Sequence, residues 1–197
     1  LTHDLPLSVS NAAHELNLVY IDDVVEAFGA HLDSANDEAT SRADVFRVIP
    51  RSFSLTLGEL RDRLEAIHAI RTTLVVPDAS DLLDKFLYAT YISYLDVDDF
   101  AYHLRKNEDP RGWLAEFVKS ERFGQIFISK TRPGISRGNH WHKTKIEKFL
   151  VVEGDAEISF RNKIDAQDVI RFRVNGDEAR VLDIPTGYVH AITNVGE

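Results

Sequence analysis

The hydrophobic pattern changes its period near the middle of the chain, and this change constrains the fold most strongly. After about Asp96, apolar and polar residues alternate with a period of two, which is typical of half-buried strands. We predict strands at residues 125–129, 149–152, 156–160, 169–174 and 180–184. Residues 153–155 and 175–177 predict hairpin turns, because Gly and Asn tolerate the positive φ of tight turns. The second half is therefore predicted to be an all-β barrel or sandwich.

The first half has a different pattern, in which short apolar runs alternate with helical periodicity. Strands are predicted at residues 18–21 and 45–49, and Asp22 and Asp23 are predicted to cap the helix that follows the first strand. Thr56 and Glu59 have the spacing of a capping box before a second helix, and a further helix is predicted from Asp81 onward. We therefore predict an α/β unit at residues 1–95 and an all-β unit at residues 96–197.

The composition excludes several functions. With 23 basic and 32 acidic residues the chain has a net charge of −9, which argues against nucleic acid as the main partner. No apolar run reaches the roughly 18 residues of a membrane helix and no signal peptide is visible, so we expect a cytoplasmic protein without a membrane partner. The chain begins at Leu1 in the middle of a pattern and contains no Met, so we expect a fragment. Without Cys, any metal must be held by imidazole and carboxylate groups.

Four residues in the second half have the types and spacing of metal ligands. His140 and His142 are two apart on a segment expected to be extended, so both side chains should leave the same face. A hairpin can bring Glu147 opposite them, and His190 follows a Pro-x-Gly turn that redirects the chain. We predict that these three histidines and the glutamate bind one divalent ion, for which Zn²⁺, Fe²⁺, Mn²⁺, Ni²⁺ and Co²⁺ are all suitable.

The remaining histidines have no partners at ligand spacing and are interpreted as structural or surface residues; they are His3, His14, His31, His68 and His103.

The spacing of the four ligand candidates resembles that of the cupin superfamily. Residues 134–154 match the first cupin motif, Gly-x5-His-x-His-x4-Glu-x6-Gly, at every specified position. Residues 185–194 match the second motif, Pro-x-Gly-x2-His-x3-Asn, but the Gly that should precede it falls at Ala179. The resemblance implies a double-stranded β-helix, or jelly-roll barrel, for the second half.

A closer resemblance connects the chain with the CapF family of bifunctional capsular polysaccharide enzymes. Residues 138–154 and 183–190 resemble the zinc cupin domain of that family, and residues 17–25 resemble the late strand-to-helix segment of its extended short-chain dehydrogenase/reductase domain. The first half is therefore expected to be the substrate-side part of a Rossmann-type reductase. In the family, the cupin domain epimerises C3 of a UDP-2-acetamido-4-keto-6-deoxyhexose, and the reductase domain then reduces C4 with NADPH. The resemblance also implies a homodimer.

The reductase half departs from the family pattern. The chain has no Gly-x-x-Gly-x-x-Gly phosphate loop, and Tyr20 and Tyr88 are not part of a Tyr-x-x-x-Lys motif, because Val24 and Ile92 stand four residues after them. We therefore expect no cofactor-binding residues and no reduction in this chain, and NADP only where a preceding nucleotide-binding part is present.

For the general acid and base of an epimerase, the sequence restricts the choice only to the titratable residues near the motifs. Lys143, His103 and Tyr188 are the candidates, together with Lys145 and Lys148. On strand alternation, Lys143 and Lys148 should point away from the ligand face.

Three basic residues before the first motif could bind the diphosphate of a UDP-sugar, although a role as a solubilising surface charge is favoured for each one taken singly; they are Lys130, Arg132 and Arg137. Two other functions use the same ligands: an Fe(II) cupin dioxygenase, and a cupin that binds a sugar or effector without turnover.

Overall fold

The structure is a computed structural model that describes residues 1–2, 5–33, 48–165 and 167–196. The chain divides into two compact units. The first contains Leu1–His103 and Val118–Gln125, and the second contains Leu104–Phe117 and Ile126–Glu197. The expected change from helices to strands is observed, since all four α-helices of the described residues lie in the first unit.

The first unit consists of these helices and one small antiparallel sheet. Its elements are β1 (Glu15–Leu18), α1 (Ile21–Asp33), β2 (Phe53–Thr56), α2 (Leu57–His68), α3 (Ile70–Thr73) and α4 (Leu82–Ser93). Strand β1 pairs with β2, with Glu15 opposite Thr56. The strand predicted at residues 18–21 lies earlier because the helix already begins at Ile21, so Asp22 and Asp23 lie in its first turn and do not precede it. The strand predicted at residues 45–49 falls largely outside the described residues.

The predicted starts of α2 and α4 are confirmed by side-chain caps. Thr56 accepts a hydrogen bond from the backbone N–H of Glu59, whose carboxylate accepts one from the backbone N–H of Thr56. Asp81 caps α4 by accepting from the N–H groups of Leu83 and Asp84. Helices α2, α3 and α4 meet in a small core of Ile67, Ile70 and Tyr91.

The described residues of the first unit contain the strands β1 and β2, one parallel bridge between Val75 and Lys119, and residues 118–120 and 124–125 of two strands that continue in the second unit. The Rossmann-type sheet expected for this half therefore stays a prediction. None of the described helices has the length and apolar content needed to cross a membrane.

The second unit is built from antiparallel strands. They are β3 (Lys106–Asp109), β4 (Gly112–Ser120), β5 (Gly124–Thr131), β6 (Ser136–His140), β7 (Glu147–Leu150), β8 (Asp155–Asn162), β9 (Val169–Asn175), β10 (Val181–Ile184) and β11 (Tyr188–Asn194). Val118–Gln125, which comprises the end of β4, the turn and the start of β5, belongs to the first unit. The sheets have the strand orders β6-β11-β8-β9, β10-β7 and β3-β4-β5. The described part of the chain is thus mostly β, with four α-helices.

The two predicted hairpin turns connect different sheets and are not hairpins. The turn at residues 153–155 joins β7, which pairs with β10, to β8, which pairs with β9 and β11. Gly154 has the expected positive φ of 77°. The turn at residues 175–177 joins β9 to β10 through a short 3-10 helix, and its left-handed residue is Ala179, with φ 47°. The hairpin prediction is wrong because turn residues report a local bend and not the pairing partners of the flanking strands.

Strand alternation gives the four-stranded sheet one apolar face, which we call the inner face. Ile158 and Phe160 of β8 lie on it and are 0% and 3% exposed. They form a core with Ala156, Val174, Leu182 and Ile184, and partly buried Phe149, Tyr188 and Ile192 pack against this core. Leu182 and Ile184 belong to the two-stranded sheet, so the two sheets pack face to face.

Candidate metal centre

A β-bulge in β6 directs His140 onto the inner face. His140 is opposite His190, but Gly138 is already opposite Ala191, so Asn139 is an extra residue in β6. Asn139 has a left-handed φ of 61°, and a Cβ on Gly138 would lie 2.8 Å from the carbonyl oxygen of His190. The Gly-Asn pair thus suits the bulge, because glycine fits the close approach and Asn tolerates the left-handed backbone. The rings of His140 and His190 are consequently 4.7 Å apart between centroids.

His190 is the buried member of the group. It lies on β11 opposite both His140 and Phe160, is 1% exposed, and has the Phe149 ring 6.0 Å away. Burial lowers the pKa of His190, although the Glu147 carboxylate acts in the opposite direction. The imidazole is therefore neutral at neutral pH, which is the form that binds metals.

His142, in the segment after β6, and Glu147, at the start of β7, complete the group. His142 lies after the end of β6 and so is not on an extended strand with His140, as the spacing had suggested. The His140 and His142 rings are nevertheless 5.0 Å apart. Glu147 opens β7, and its Oε2 atom lies 3.1 Å from Nε2 of His142 and 3.2 Å from Nε2 of His190. The four predicted ligands are thus brought together.

The arrangement fits a bound cation. One donor atom from each of His140, His142, Glu147 and His190 lies within 4.8 Å of the other three. Nε2 of His142 and Oε2 of Glu147 are buried and have no hydrogen-bond partner, which is unfavourable for polar atoms. Two ligands about 2.0–2.2 Å from one ion lie roughly 3–3.5 Å apart, so the contacts of Oε2 with the two imidazoles have suitable lengths. The group is able to hold a metal ion, and its chemistry suits a borderline divalent metal.

Lys145 orients the carboxylate of this group. Its ammonium donates a hydrogen bond to Oε1 of Glu147, which leaves Oε2 facing the imidazoles. Burial opposes ionisation of Glu147, but Lys145 and then His142 and His190 outweigh it and hold the pKa of Glu147 below its ordinary value. Glu147 is therefore ionised at neutral pH, as a metal ligand must be.

The other predicted site residues lie in different surroundings. Tyr188 begins β11, is half-buried and shares the inner face with His190, which follows two positions later. Lys143 is exposed in the segment after β6, and Lys148 forms an ion pair with Asp183 on the neighbouring strand β10. His103 is exposed and belongs to the first unit.

The three basic residues proposed for a diphosphate also differ from one another. Lys130 and Arg132 are exposed, whereas the Arg137 side chain is only 15% exposed. The sequence analysis missed this burial and the role of Lys145 beside Glu147. The Gly138-Asn139 pair could have predicted the burial of Arg137, because two adjacent residues that tolerate positive φ within a strand favour a bulge, and a bulge changes which face the neighbouring side chains occupy.

Of the other histidines, His68 lies 2.9 Å from the Tyr91 hydroxyl, and His14 is exposed. His3 lies outside the described residues, as does the side chain of His31.

The sequence is similar to enzymes of polysaccharide biosynthesis. Residues 107–197 match the family described as Polysaccharide biosynthesis C-terminal domain. The whole chain is 35% identical over 196 residues to the UDP-2-acetamido-2,6-beta-L-arabino-hexul-4-ose reductase of Pseudomonas aeruginosa, and covers 51% of that protein. The spore coat polysaccharide biosynthesis protein SpsL of Bacillus subtilis is 28% identical over 103 residues, which are 48% of this chain and 68% of SpsL.

Crystal structures of CapF are similar over the entire chain. The capsular polysaccharide assembling protein CapF of Staphylococcus aureus superposes with a TM-score of 0.88 and 38% identity over 99% of this chain and 55% of CapF. A structure of CapF with the inhibitor 3-isopropenyl-tropolone gives a TM-score of 0.87 and 39% identity, over 100% of this chain and 56% of CapF. The chain thus spans about half the length of the reductase and of CapF. The resemblance found in the motifs is confirmed: along its whole length this chain is a homologue of the CapF-type capsular polysaccharide enzymes.

Proposed function

We propose that the second unit is a zinc cupin that epimerises C3 of a UDP-2-acetamido-4-keto-6-deoxyhexose. The observation that carries the proposal is the convergence of four donor residues, His140, His142, Glu147 and His190. Some of their buried donor atoms have no hydrogen-bond partner. The chain that holds them is a homologue of CapF. The name of the Pseudomonas relative identifies a UDP-activated sugar with a ketone at C4 as its substrate. A hydrogen on the carbon next to a ketone is the one that an epimerase can remove and return.

The chemistry of the proposed centre follows from its donor set. His140, His142, Glu147 and His190 would hold the ion, and a bound Zn²⁺ supplies a Lewis acid that makes the C3 hydrogen of a 4-ketosugar more acidic. Lys145 holds Glu147 in the orientation in which Oε2 faces the imidazoles. The core around Phe149 and Phe160 keeps water from one side of His190.

The reaction also needs groups that move a proton. A base takes the C3 proton, and an acid returns one to the opposite face, so that substrate and product are isomers and no co-reactant is consumed. Of the three candidates, we favour Tyr188, because it shares the inner face with His190, while Lys143 and His103 are exposed.

The test is hydrogen exchange at C3. The chain, loaded with zinc, is incubated with the UDP-4-ketosugar in deuterium oxide, and the C3 proton signal is followed by NMR for wild type, His140→Ala and Tyr188→Phe. His140 is the matched choice for removing a ligand, because it is exposed and its loss leaves the buried core in place. We expect zinc-dependent loss of the signal in wild type, none in His140→Ala, and a rate reduced by about 10²-fold or more in Tyr188→Phe.

The other outcomes discriminate the alternatives. Absence of exchange with one zinc bound per chain would favour a cupin that binds a sugar without turnover. Oxygen uptake by the Fe²⁺-loaded protein in the presence of the sugar would indicate a dioxygenase. Exchange that is unchanged in His140→Ala would contradict the assignment of the metal ligands.

The remaining parts of the proposal concern the longer protein. We propose that the first unit is the substrate-side part of a short-chain dehydrogenase/reductase, and that the C4 ketone is reduced with NADPH where a nucleotide-binding part accompanies it. We also propose a cytoplasmic homodimer in capsular polysaccharide precursor synthesis. Sedimentation of the purified protein tests the dimer.

A further inference from the structure

Arg137 is a buried cation whose hydrogen-bonding capacity is largely unused. Its side chain is 15% exposed, and the buried Nε and Nη2 atoms have no hydrogen-bond partner. A guanidinium carries five N–H donors and stays charged, so leaving donors unpaired away from water is unfavourable. Such a group is stable when a ligand supplies the missing acceptors.

The bulge in β6 places Arg137 on the inner face beside the candidate metal ligands. Arg137 is opposite Ile192, and His140 is opposite His190, which precedes Ile192 by two residues on β11. Side chains two apart on a strand share a face and start about 7 Å apart, so Arg137 and His140 belong to adjacent rows of this face. Without the extra residue Asn139, the three-residue separation of Arg137 and His140 would put them on opposite faces.

The neighbouring carboxylate does not satisfy the guanidinium. Oδ1 of Asp109 lies 3.7 Å from Nη2 of Arg137, which is too long for a hydrogen bond. Both oxygens of Asp109 instead accept hydrogen bonds from Arg111, Oδ1 from its backbone N–H and Oδ2 from its guanidinium. Asp109 therefore lies near the charge of Arg137 and leaves the N–H groups on Nε and Nη2 free for another acceptor.

We propose that Arg137 binds an oxyanion of the substrate, either the diphosphate of the UDP group or the C4 oxygen on which negative charge develops as the C3 proton leaves. The two oxygen sites share the chemistry that a planar guanidinium recognises with paired N–H donors. The proposal rests on the proposed function for the identity of the substrate. It requires no covalent step by Arg137 itself.

The first experiment measures ligand binding at Arg137 in the wild-type protein. UDP is titrated into zinc-loaded wild-type protein, and the Arg137 Nε–H resonance is followed by NMR, with Arg137→Lys used to assign the signal. Inorganic pyrophosphate serves as a second probe that lacks the nucleoside. A saturable shift of the Nε–H signal with UDP and pyrophosphate identifies the diphosphate as the ligand.

The second experiment compares variants by UDP binding and by C3 exchange. Arg137→Lys keeps the charge and loses the planar fork, and Arg137→Gln removes the charge. Arg173→Gln is the matched control, because Arg173 is an exposed arginine of β9 that lies opposite Glu157, on the face away from the inner face. Diphosphate binding predicts UDP affinity lower by about tenfold or more in both Arg137 variants. Stabilisation of the C4 oxygen predicts unchanged UDP affinity and an exchange rate lower by about tenfold or more at saturating substrate.

Each outcome bears on one proposal. One combination of results would show that Arg137 is only a structural partner of Asp109. In that case the Arg137 variants retain zinc, UDP affinity and exchange rate, and the wild-type Nε–H signal does not shift with UDP or pyrophosphate. If wild type shows no exchange but its Nε–H signal responds to UDP, the epimerase proposal fails and the anion site stands.

Discussion

Ala179 has a left-handed backbone that its side chain disfavours. Its φ and ψ are 47° and 39°, and it is the position at which the second cupin motif has a glycine. A Cβ in this conformation is close to the following carbonyl oxygen, which costs roughly 1–2 kcal/mol. We therefore expect Ala179→Gly to increase the free energy of unfolding by about 1 kcal/mol, measured from the midpoint of urea unfolding.

Gly154 provides the reverse control. It has a φ of 77°, and a Cβ added there would have no atom within 4 Å, so Gly154→Ala changes the backbone preference without a clash. This variant should be destabilised by about as much as Ala179→Gly is stabilised. If Ala179→Gly is instead destabilised, the conformational entropy that glycine adds to the unfolded state outweighs the backbone strain that it relieves in the folded state.

Lys145 determines which carboxylate oxygen of Glu147 faces the imidazoles, so its removal should weaken metal binding. Groups that orient a metal ligand typically contribute 10- to 100-fold to affinity, and we expect Lys145→Ala to lower zinc affinity by about 10-fold or more. Competition with a chromophoric chelator at constant pH measures this affinity.

Lys148→Ala is the matched control, because Lys148 is on the same strand as Glu147 but forms an ion pair with Asp183. Equal affinities for wild type, Lys145→Ala and Lys148→Ala would mean that Glu147 is positioned by the strand alone.

Helix α4 begins at a residue with two separable roles. Asp81 caps the helix through the N–H groups of Leu83 and Asp84, and it accepts a hydrogen bond of 3.0 Å from Arg63. Burial opposes ionisation, but Arg63 and the capping N–H groups outweigh it and keep the pKa of Asp81 below its ordinary value. A lowered folded-state pKa contributes stability above the unfolded pKa of about 3.9, and this stability is lost as the pH falls through the folded-state value.

Two substitutions separate these roles. Asp81→Ala removes the cap and should destabilise the protein by about 1 kcal/mol at pH 7, whereas Asn retains a good cap without charge. The advantage of wild type over Asp81→Asn should be present at pH 7 and shrink below about pH 4, as measured by urea unfolding across this range. An advantage that is constant with pH would show that the ionised carboxylate does not stabilise the fold.

Alternation predicted five strands of the second unit, namely β5, β7, β8, β9 and β10, but neither the other described strands nor the pairing partners. Strands β8 and β9 lie close to their predicted positions, because period-two burial is a local property of the sequence. Pairing of β7 with β10 and of β6 with β11 joins segments far apart in the chain. Turn residues such as Gly154 carry no information about such pairs.

The same distinction applies to the candidate site. The histidines and Glu147 were found from their spacing, since a metal site requires specific residue types in a narrow arrangement. The burial of Arg137 beside these ligands was not predicted, because its face depends on the bulge at Asn139, which reverses the alternation between Arg137 and His140. One extra residue therefore decides whether a charge lies on the inner face.

Zinc binding should protect the second unit selectively, because the four candidate ligands come from β6, β7, β11 and the segment after β6, all within that unit. A ligand that binds only the folded form stabilises it, by about 2.7 kcal/mol when its free concentration is 100-fold above Kd. Hydrogen exchange followed by mass spectrometry should show slower exchange with zinc in peptides from β6, β7 and β11. Hydrogen exchange in peptides from α2 and α4 should not change.

His140→Ala should abolish the protection by zinc without altering exchange in the absence of zinc, since His140 is exposed. Protection that persists in this variant would place the zinc elsewhere in the chain.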